Sequence, residues 1–361
     1  MSADEVRAER AVYERPLLPP PARLVEQGGF QYGCYNAPPA LANMLDVEWL
    51  YHLRMPRWLR AFRCKQWQAF QLGDGRFFVF SSLYEAKSFG LALFYVWDKD
   101  KKKAYEFKRF LPFRSFGIGE KLDGQAIGYR ERGASLSYSC DLTKGEILVT
   151  ASVERRGPRP AFSGEFRLAY AARQSSPSSV CLPLGLNRAM YSTKVLMPMD
   201  GYIVLDEERF ELNGADAMGI LDDHKGYYPY RMHYDWVTGF GIDGKGRRVG
   251  FNFTDNQVRD QGQFNENVLW INSRAFPLPP VKITRPNGPA GEWHIQDTEG
   301  LVDLLFKPER ANDIVVKALV LQSDYHGPFG RFEGRLRSPD GAEKIDAKTL
   351  YGMGEQKYLR A

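Results

Sequence analysis

Hydrophobic and polar residues alternate with a period of two through much of this chain. Leu136, Tyr138, Cys140 and Leu142 share one parity, with Ser137, Ser139 and Asp141 on the other. Phe162, Phe166, Leu168 and Tyr170 repeat the pattern around Glu165 and Arg167. Val249, Phe251 and Phe253 do so around Gly250 and Asn252, and Val302, Leu304 and Phe306 follow it again. Successive side chains of a strand face opposite sides, so each run predicts a strand with one buried and one polar face. Turn chemistry falls between such runs. Gly73-Asp74-Gly75, Asp98 to Lys103, Thr143-Lys144-Gly145, Asp243-Gly244-Lys245-Gly246 and Pro339-Asp340-Gly341 each predict a hairpin. Short strands joined by tight turns predict an all-β chain, an antiparallel sandwich or barrel. Helical periodicity is scarce. Leu41 to Phe62 is the best candidate, and Pro56 must break or start a helix there. The last residues, from Gly354 to Arg360, predict a short strand or a turn.

Two stretches interrupt the alternation. The first forty residues hold Pro16, Pro19, Pro20, Pro21, Pro38 and Pro39, so residues 1–45 are expected to lie extended along the surface or to plug one end of the fold. Ala172 to Pro183 contains Gln174-Ser175-Ser176-Pro177-Ser178-Ser179 and reads as a domain boundary or as one long barrel loop. With the boundary there, the domains are 46–183 and 184–361, and a chain of 361 residues accommodates two.

Composition narrows the function classes. Apolar residues make up 43% and aromatic residues 14%, enough to fill real cores. The net charge of +5 is a small difference between 49 basic and 44 acidic residues. No basic block interleaved with aromatics marks a nucleic-acid surface, and Lys99 with Lys101, Lys102 and Lys103 reads as a solvated hairpin tip. Cys34, Cys64, Cys140 and Cys181 are far apart and are expected to be buried thiols in a reducing compartment. The charged N-terminus lacks an apolar signal core, and no segment approaches the ~20 apolar residues that cross a bilayer. The expectation is a soluble, cytoplasmic protein of undetermined oligomeric state.

Several chemistries find no support. Gly239, Gly241 and Gly244 spell GxGxxG, but the following residues alternate like a strand, whereas the dinucleotide motif must open a helix. No GxSxG, HExxH or P-loop occurs, and the five histidines show no paired ligand spacing. Neither a metal nor a cofactor is expected.

Three segments carry candidate chemistry. His224 to Trp236 reads HKGYYPYRMHYDW, a mixture of flat apolar faces with hydroxyl, imidazole and carboxylate tips. Tyr228, Tyr230, Tyr234 and Trp236 share one parity, and His233 and Asp235 the other; Pro229 makes the first part an edge or a loop. The run is either a pocket wall or an aromatic barrel core with a solvated back. The second segment runs from Asn252 to Glu266 and includes Asp255, Arg259 and Asp260. It suits either the mouth of a barrel, positioning a polar group, or a solvated loop. The third is Asp324 to Gly330, where Val315 to Leu321 reads as a strand ending in a tight turn. His326 there is an acid–base candidate with Asp324 nearby, or a structural turn histidine.

Ordered along the chain are Tyr191-Ser192-Thr193-Lys194, Met197-Pro198-Met199-Asp200-Gly201, Gly226-Tyr227-Tyr228-Pro229-Tyr230 and Tyr234-Asp235-Trp236 with Gly239 and Gly241. Gly250-Phe251-Asn252, Glu266-Asn267-Val268-Leu269-Trp270 and His326-Gly327-Pro328-Phe329-Gly330-Arg331-Phe332 continue the series. In these elements the chain resembles the bacterial family of domain of unknown function 2804. That family has no assigned activity to transfer. The resemblance implies two lipocalin-like antiparallel β-barrels in tandem with few short helices. This fold is remotely similar to those of carotenoid 1,2-hydratase (hydroxyneurosporene synthase), kievitone hydratase and some Diels–Alderases. By analogy it implies a hydrophobic small molecule in a barrel, and a shared fold does not transfer chemistry.

The leading functional expectation is a cofactor-independent enzyme, a hydro-lyase or isomerase, acting on a hydrophobic or amphipathic small molecule by hydration, dehydration, isomerisation or cyclisation. Asp235, His233, His326 and Glu266 are the candidate proton donors or acceptors. Tyr228, Tyr230, Tyr234, Trp236, Asn252, Arg259 and Lys194 are the candidate ligand contacts. The alternatives are a lipid or isoprenoid binding protein without chemistry, and a carbohydrate-active enzyme using two of Asp235, Asp255 and Glu266.

Overall fold

A computed structural model describes residues 13–113, 116–171, 175–317 and 322–360. It is all-β, with a single α-helix, Arg57–Arg63, among the described residues. The chain divides into two compact units. One is Leu18–Tyr228, built on a 13-stranded antiparallel sheet, and the other joins Met1–Leu17 to Pro229–Ala361 and carries a 12-stranded one. Each sheet curls on itself, giving the two lipocalin-like barrels.

In the first unit the curl is visible in its core. Phe70, Phe94, Tyr138, Val149, Phe166, Val195 and Leu221 come from strands across the whole sheet and pack into one cluster. The terminal strands Lys103–Pro112 and Gln125–Glu131 meet through side chains: the Phe107 and Tyr129 rings lie 6.2 Å apart, and Arg109 reaches Glu131 at 3.1 Å. Burying each such aromatic stabilises the fold by ~1.5–3 kcal/mol. In the second unit Val237, Phe251, Leu269, Ile295, Phe306 and Phe332 form the corresponding core.

All five turn signals join consecutive antiparallel strands. The turn at 73–75 links Lys65–Gly73 to Phe77–Glu85, and that at 243–246 links Arg231–Ile242 to Arg248–Asp255. The GxGxxG spelling therefore sits in a hairpin, not before a helix. Around Leu136 and Phe162 the expected buried and polar faces alternate as read. Around Phe251 they do not, because Asn252 and Thr254 on the opposite face are buried too.

Other expectations need revision. Of Leu41 to Phe62 only the part after Pro56 is helical; before it lie a 3-10 turn, Met44–Asp46, and two short strands. Residues 178–183 belong to the strand Ser178–Gly185, and residues 172–174 lie outside the described residues. The expected boundary at 183 thus falls within a strand, and the compact unit continues to Tyr228. Asp324 and His326 lie in the strand Gln322–His326 rather than in a turn, and the chain ends in a ten-residue strand, Tyr351–Arg360. In the N-terminal segment Leu24, Val25, Tyr35 and Ala42 are buried, packed with Met44, Val47, Cys181, Tyr191 and Tyr227. All four cysteines are buried, and burial pushes the Cys64 thiol up to about 11.

One strand organises the first unit. Arg188–Leu205 pairs through its first half with Ser178–Gly185 and Met218–Gly226, and through its second half with Phe162–Ala169 and Glu208–Leu212. At the bend a Cβ on Gly201 would lie 2.1 Å from the Glu165 carbonyl oxygen, so only glycine allows this approach.

Candidate functional site

The strand Met218–Gly226 reads Met-Gly-Ile-Leu-Asp-Asp-His-Lys-Gly, and every residue in it is buried. Its register places Asp222 opposite Lys194 and Ala69, Asp223 opposite Thr193 and Gln68, and His224 opposite Ser192 and Trp67. Alternation therefore sends charge to both faces of the sheet.

On the inner face, continuing the parity of Leu221 and Phe70, Lys225 Nζ lies 3.3 Å from Asp223 Oδ2, and Gln68 donates to Asp223 at 3.4 Å and to Gln125 at 2.8 Å. Thr193 donates to the Tyr191 hydroxyl at 2.9 Å, and burial beside Asp223 drives the Tyr191 phenol well above its ordinary range.

The outer face holds a second network. Asp222 accepts from Trp67 Nε1 at 3.1 Å and pairs with Lys194 Nζ at 3.2 Å. Lys194 donates to Ser192 Oγ at 2.7 Å, and Ser192 Oγ donates to Asp222 at 3.4 Å. The His224 imidazole lies flat on Trp67, and its Nε2 is hydrogen-bonded to the Tyr228 hydroxyl. The Tyr228 ring is nearly parallel to Trp67 at 6.2 Å, and Tyr84 leans on Trp67 at 5.7 Å. Lys194, Asp222, His224 and Tyr228 are all at least nine-tenths buried. Desolvating such a pair costs several kcal/mol, which apolar residues of similar volume would avoid. Buried ionisable clusters of this kind concentrate at functional sites.

Gln71 lies on the same face, opposite Ile220 and Phe80. Its side chain is fully buried, and neither Nε2 nor Oε1 has a hydrogen-bond partner among the described residues. An unsatisfied buried amide costs ~1–3 kcal/mol, and this carboxamide retains both a donor and an acceptor to offer.

The second unit has its own buried polar face. Trp236 Nε1 donates to Asn252 Oδ1 at 2.5 Å, Asn252 Nδ2 donates to the Glu266 carbonyl at 3.0 Å, and Thr254 Oγ1 donates to Glu266 Oε1 at 2.7 Å. Tyr234 donates to Glu355, and Lys357 lies over the Tyr234 ring. Asp235 has the opposite parity. It pairs with Arg285 at 2.8 Å while Asp255, directly across from it, pairs with Lys282 at 2.8 Å. Burial raises the Asp235 carboxyl, and Arg285 only partly offsets this.

The sequence candidates thus separate. Lys194 and Tyr228 join the Trp67 network; Trp236, Asn252 and Glu266 form one network in the second unit, and Tyr234 lies on the same strand as Trp236. His326 lies between Asp313, 2.9 Å from Nδ1, and Asp324, 3.0 Å from Nε2. Tyr230, His233 and Arg259 are exposed. Trp67, Asp222, His224, Ser192 and Gln71 were missed as site residues. The available signal was Asp222-Asp223-His224-Lys225 inside an otherwise apolar strand-length segment.

Among the described residues no helix is long and apolar enough to cross a membrane, and no three His, Cys, Asp or Glu side chains group as a metal site. A family model described as domain of unknown function (DUF2804) matches residues 20–360. A search of curated proteins finds no match. Among solved structures, a candidate AttH from Nitrosomonas europaea is 15% identical, with 82% of this chain and 92% of that one covered at a TM-score of 0.40. CghA is 10% identical, with 82% and 88% covered at a TM-score of 0.36. Likenesses this distant carry no chemistry.

Proposed function

We propose that this chain, which belongs to the DUF2804 family, is a cofactor-independent enzyme that holds an amphipathic small molecule against the Trp67 face of its Leu18–Tyr228 unit. The observation that carries the reading is the buried Lys194–Asp222 pair beside the hydrogen-bonded His224–Tyr228 pair on one sheet face. Trp67 and Tyr84 offer flat walls to the apolar part of a ligand. Gln71 offers a donor and an acceptor to its polar part. The His224–Tyr228 pair can deliver or receive a proton, and the Lys194 ammonium, oriented by Asp222 and Ser192, stabilises negative charge developing on a bound oxygen. Hydration, dehydration or isomerisation beside an oxygen-bearing group, and cyclisation through an enolate, can use these elements without a cofactor.

Native mass spectrometry of freshly purified protein tests occupancy, and a co-purified mass sets the substrate class. Turnover is then followed on terpenoid, polyene and unsaturated acyl compounds. Tyr228→Phe and His224→Gln are expected to slow turnover by ~10²–10⁴ while ligand still binds. No turnover of any compound by the wild type would sink the catalytic half of the reading.

The second reading is a lipid or isoprenoid binding protein, favoured by Gln71, which needs a ligand but no reaction. It predicts that the same substitutions change affinity alone. Glu266 in its own network, and Asp235, His233 and His326, enter the same assay as the alternative proton donors. Glycoside hydrolysis by two of Asp235, Asp255 and Glu266 is less supported, because each already has a partner, Arg285, Lys282 and Thr254 respectively.

A further inference from the structure

The helix Arg57–Arg63 has its polarity inverted. None of its residues is buried. Its arginines recur at every third position and hold it to the rest of its unit. Arg57 pairs with Asp46 at 2.8 Å and Glu120 at 3.6 Å, Arg60 donates to the Val47 carbonyl, and the Arg63 guanidinium lies 5.5 Å from the Tyr51 ring centroid. At ~100° per residue, Trp58 and Phe62 project from the opposite side. They are 72% and 46% exposed. A helix at a protein surface ordinarily turns its apolar stripe inward. Here the charged side is spent on the protein and the aromatic side meets solvent.

The hairpin just before the helix shares this character. Trp49 and Leu53, on its two strands, are 49% and 58% exposed. At its tip Tyr51 and His52 both have positive φ, 53° and 66°, a conformation costly for residues other than glycine. The strain is held by Tyr51, whose ring also lies under Arg188 at 5.3 Å and whose hydroxyl donates to the Tyr228 carbonyl at 3.0 Å.

We infer that the hairpin and helix over residues 49–63 form a docking surface for an anionic lipid bilayer, with Trp58 and Phe62 entering the headgroup–acyl boundary. Two arguments favour lipid. Tryptophan partitions to that boundary, and paired aromatics beside arginine are the signature of interfacial helices. From Trp49 to Gly73 the chain contains no acidic residue, and of its cations Arg54 and Arg57 are exposed while Lys65 is buried. That charge suits an anionic surface, on which each nearby cation adds attraction, and opposes pairing with a second copy of the same segment. The inference holds whether or not the Trp67 face is catalytic.

Vesicle flotation of the full chain tests it, using phosphatidylcholine alone and phosphatidylcholine mixed with phosphatidylglycerol. Association is expected with the mixed vesicles, and added salt should weaken it. The W58S/F62S double variant should bind roughly tenfold or more weakly through lost apolar contact. R54E should bind ~5-fold or more weakly on mixed vesicles. Both variants should keep the wild-type melting temperature, since these side chains are exposed. Tryptophan emission should be quenched by brominated lipid, and W58F should reduce that quenching. Failure of the wild type to float with either vesicle overturns the inference, as does binding that W58S/F62S leaves unchanged. A dimer seen by analytical ultracentrifugation that W58S/F62S dissolves would assign the face to a second copy and overturn it equally.

Discussion

Trp67 and His224 lie face to face, with ring centroids 3.8 Å apart and planes 7° from parallel. They are cross-strand neighbours, so the register of two strands alone brings indole and imidazole together. The same imidazole meets Tyr228 through Nε2. Replacing His224 by Ala removes both contacts and is expected to destabilise the protein by ~1–3 kcal/mol in denaturant unfolding. Unfolding curves that coincide with the wild type would show that the stack contributes nothing.

Lys194 and Asp222 should behave differently alone and together. Asp222→Leu leaves a buried ammonium without its carboxylate and is expected to cost ~3–5 kcal/mol, and Lys194→Met a similar amount. The double variant should return to within ~1–2 kcal/mol of the wild type, because an apolar pair needs no solvation. If the double variant is stable yet no longer binds ligand, the pair is kept for function. Additive losses in the double variant would mean that the two side chains do not act as a pair.

Gln71→Met exchanges an unsatisfied amide for a side chain of similar length. Removing an orphaned polar group is expected to raise stability by ~1 kcal/mol or more, seen as a higher melting temperature, while ligand affinity falls. A lower melting temperature would show that the amide is already satisfied in solution.

Asp98 makes stability depend on acid. Its carboxylate is buried, which by itself would raise its pKa, but hydrogen bonds from Arg76 and from the Lys101 and Asp100 amides bring it below the ordinary value. A carboxyl depressed on folding stabilises the native state above its unfolded pKa of ~3.9, and that contribution disappears as pH falls through the folded value. Asp98→Asn is expected to cost ~1.5–3 kcal/mol at neutral pH. The gap to the wild type should narrow below about pH 4. A gap independent of pH would remove the charge from the explanation.

The hairpins were legible in the sequence because turn chemistry is local: Asp98 to Lys103 and Asp243 to Gly246 carry their own instructions. Strands such as Ala134–Asp141 were legible because one face is polar. Met218–Gly226 was not, since alternation is visible only when the two faces meet different surroundings, and here both are buried and both are charged. The aromatic run from His224 pointed to the right neighbourhood through Tyr228, but it overshot to Tyr230, which is exposed beyond Pro229. Trp67 and Asp222 are 155 residues apart in sequence and meet only through strand register, which no local pattern encodes.

Arg188–Leu205 belongs to both halves of its sheet, and this shapes how the unit is made. Its own partners lie close to it in sequence, but the sheet is completed only when one of them, Met218–Gly226, pairs with Lys65–Gly73, so assembly waits on a distant segment and is expected to be slow and all-or-none. The unit therefore has no seam along which it could be cut into two self-sufficient lobes. Insertions should be accepted in the turn between Leu205 and Glu208, beyond the strand's end, and rejected around Gly201, where one backbone serves two neighbours at close range.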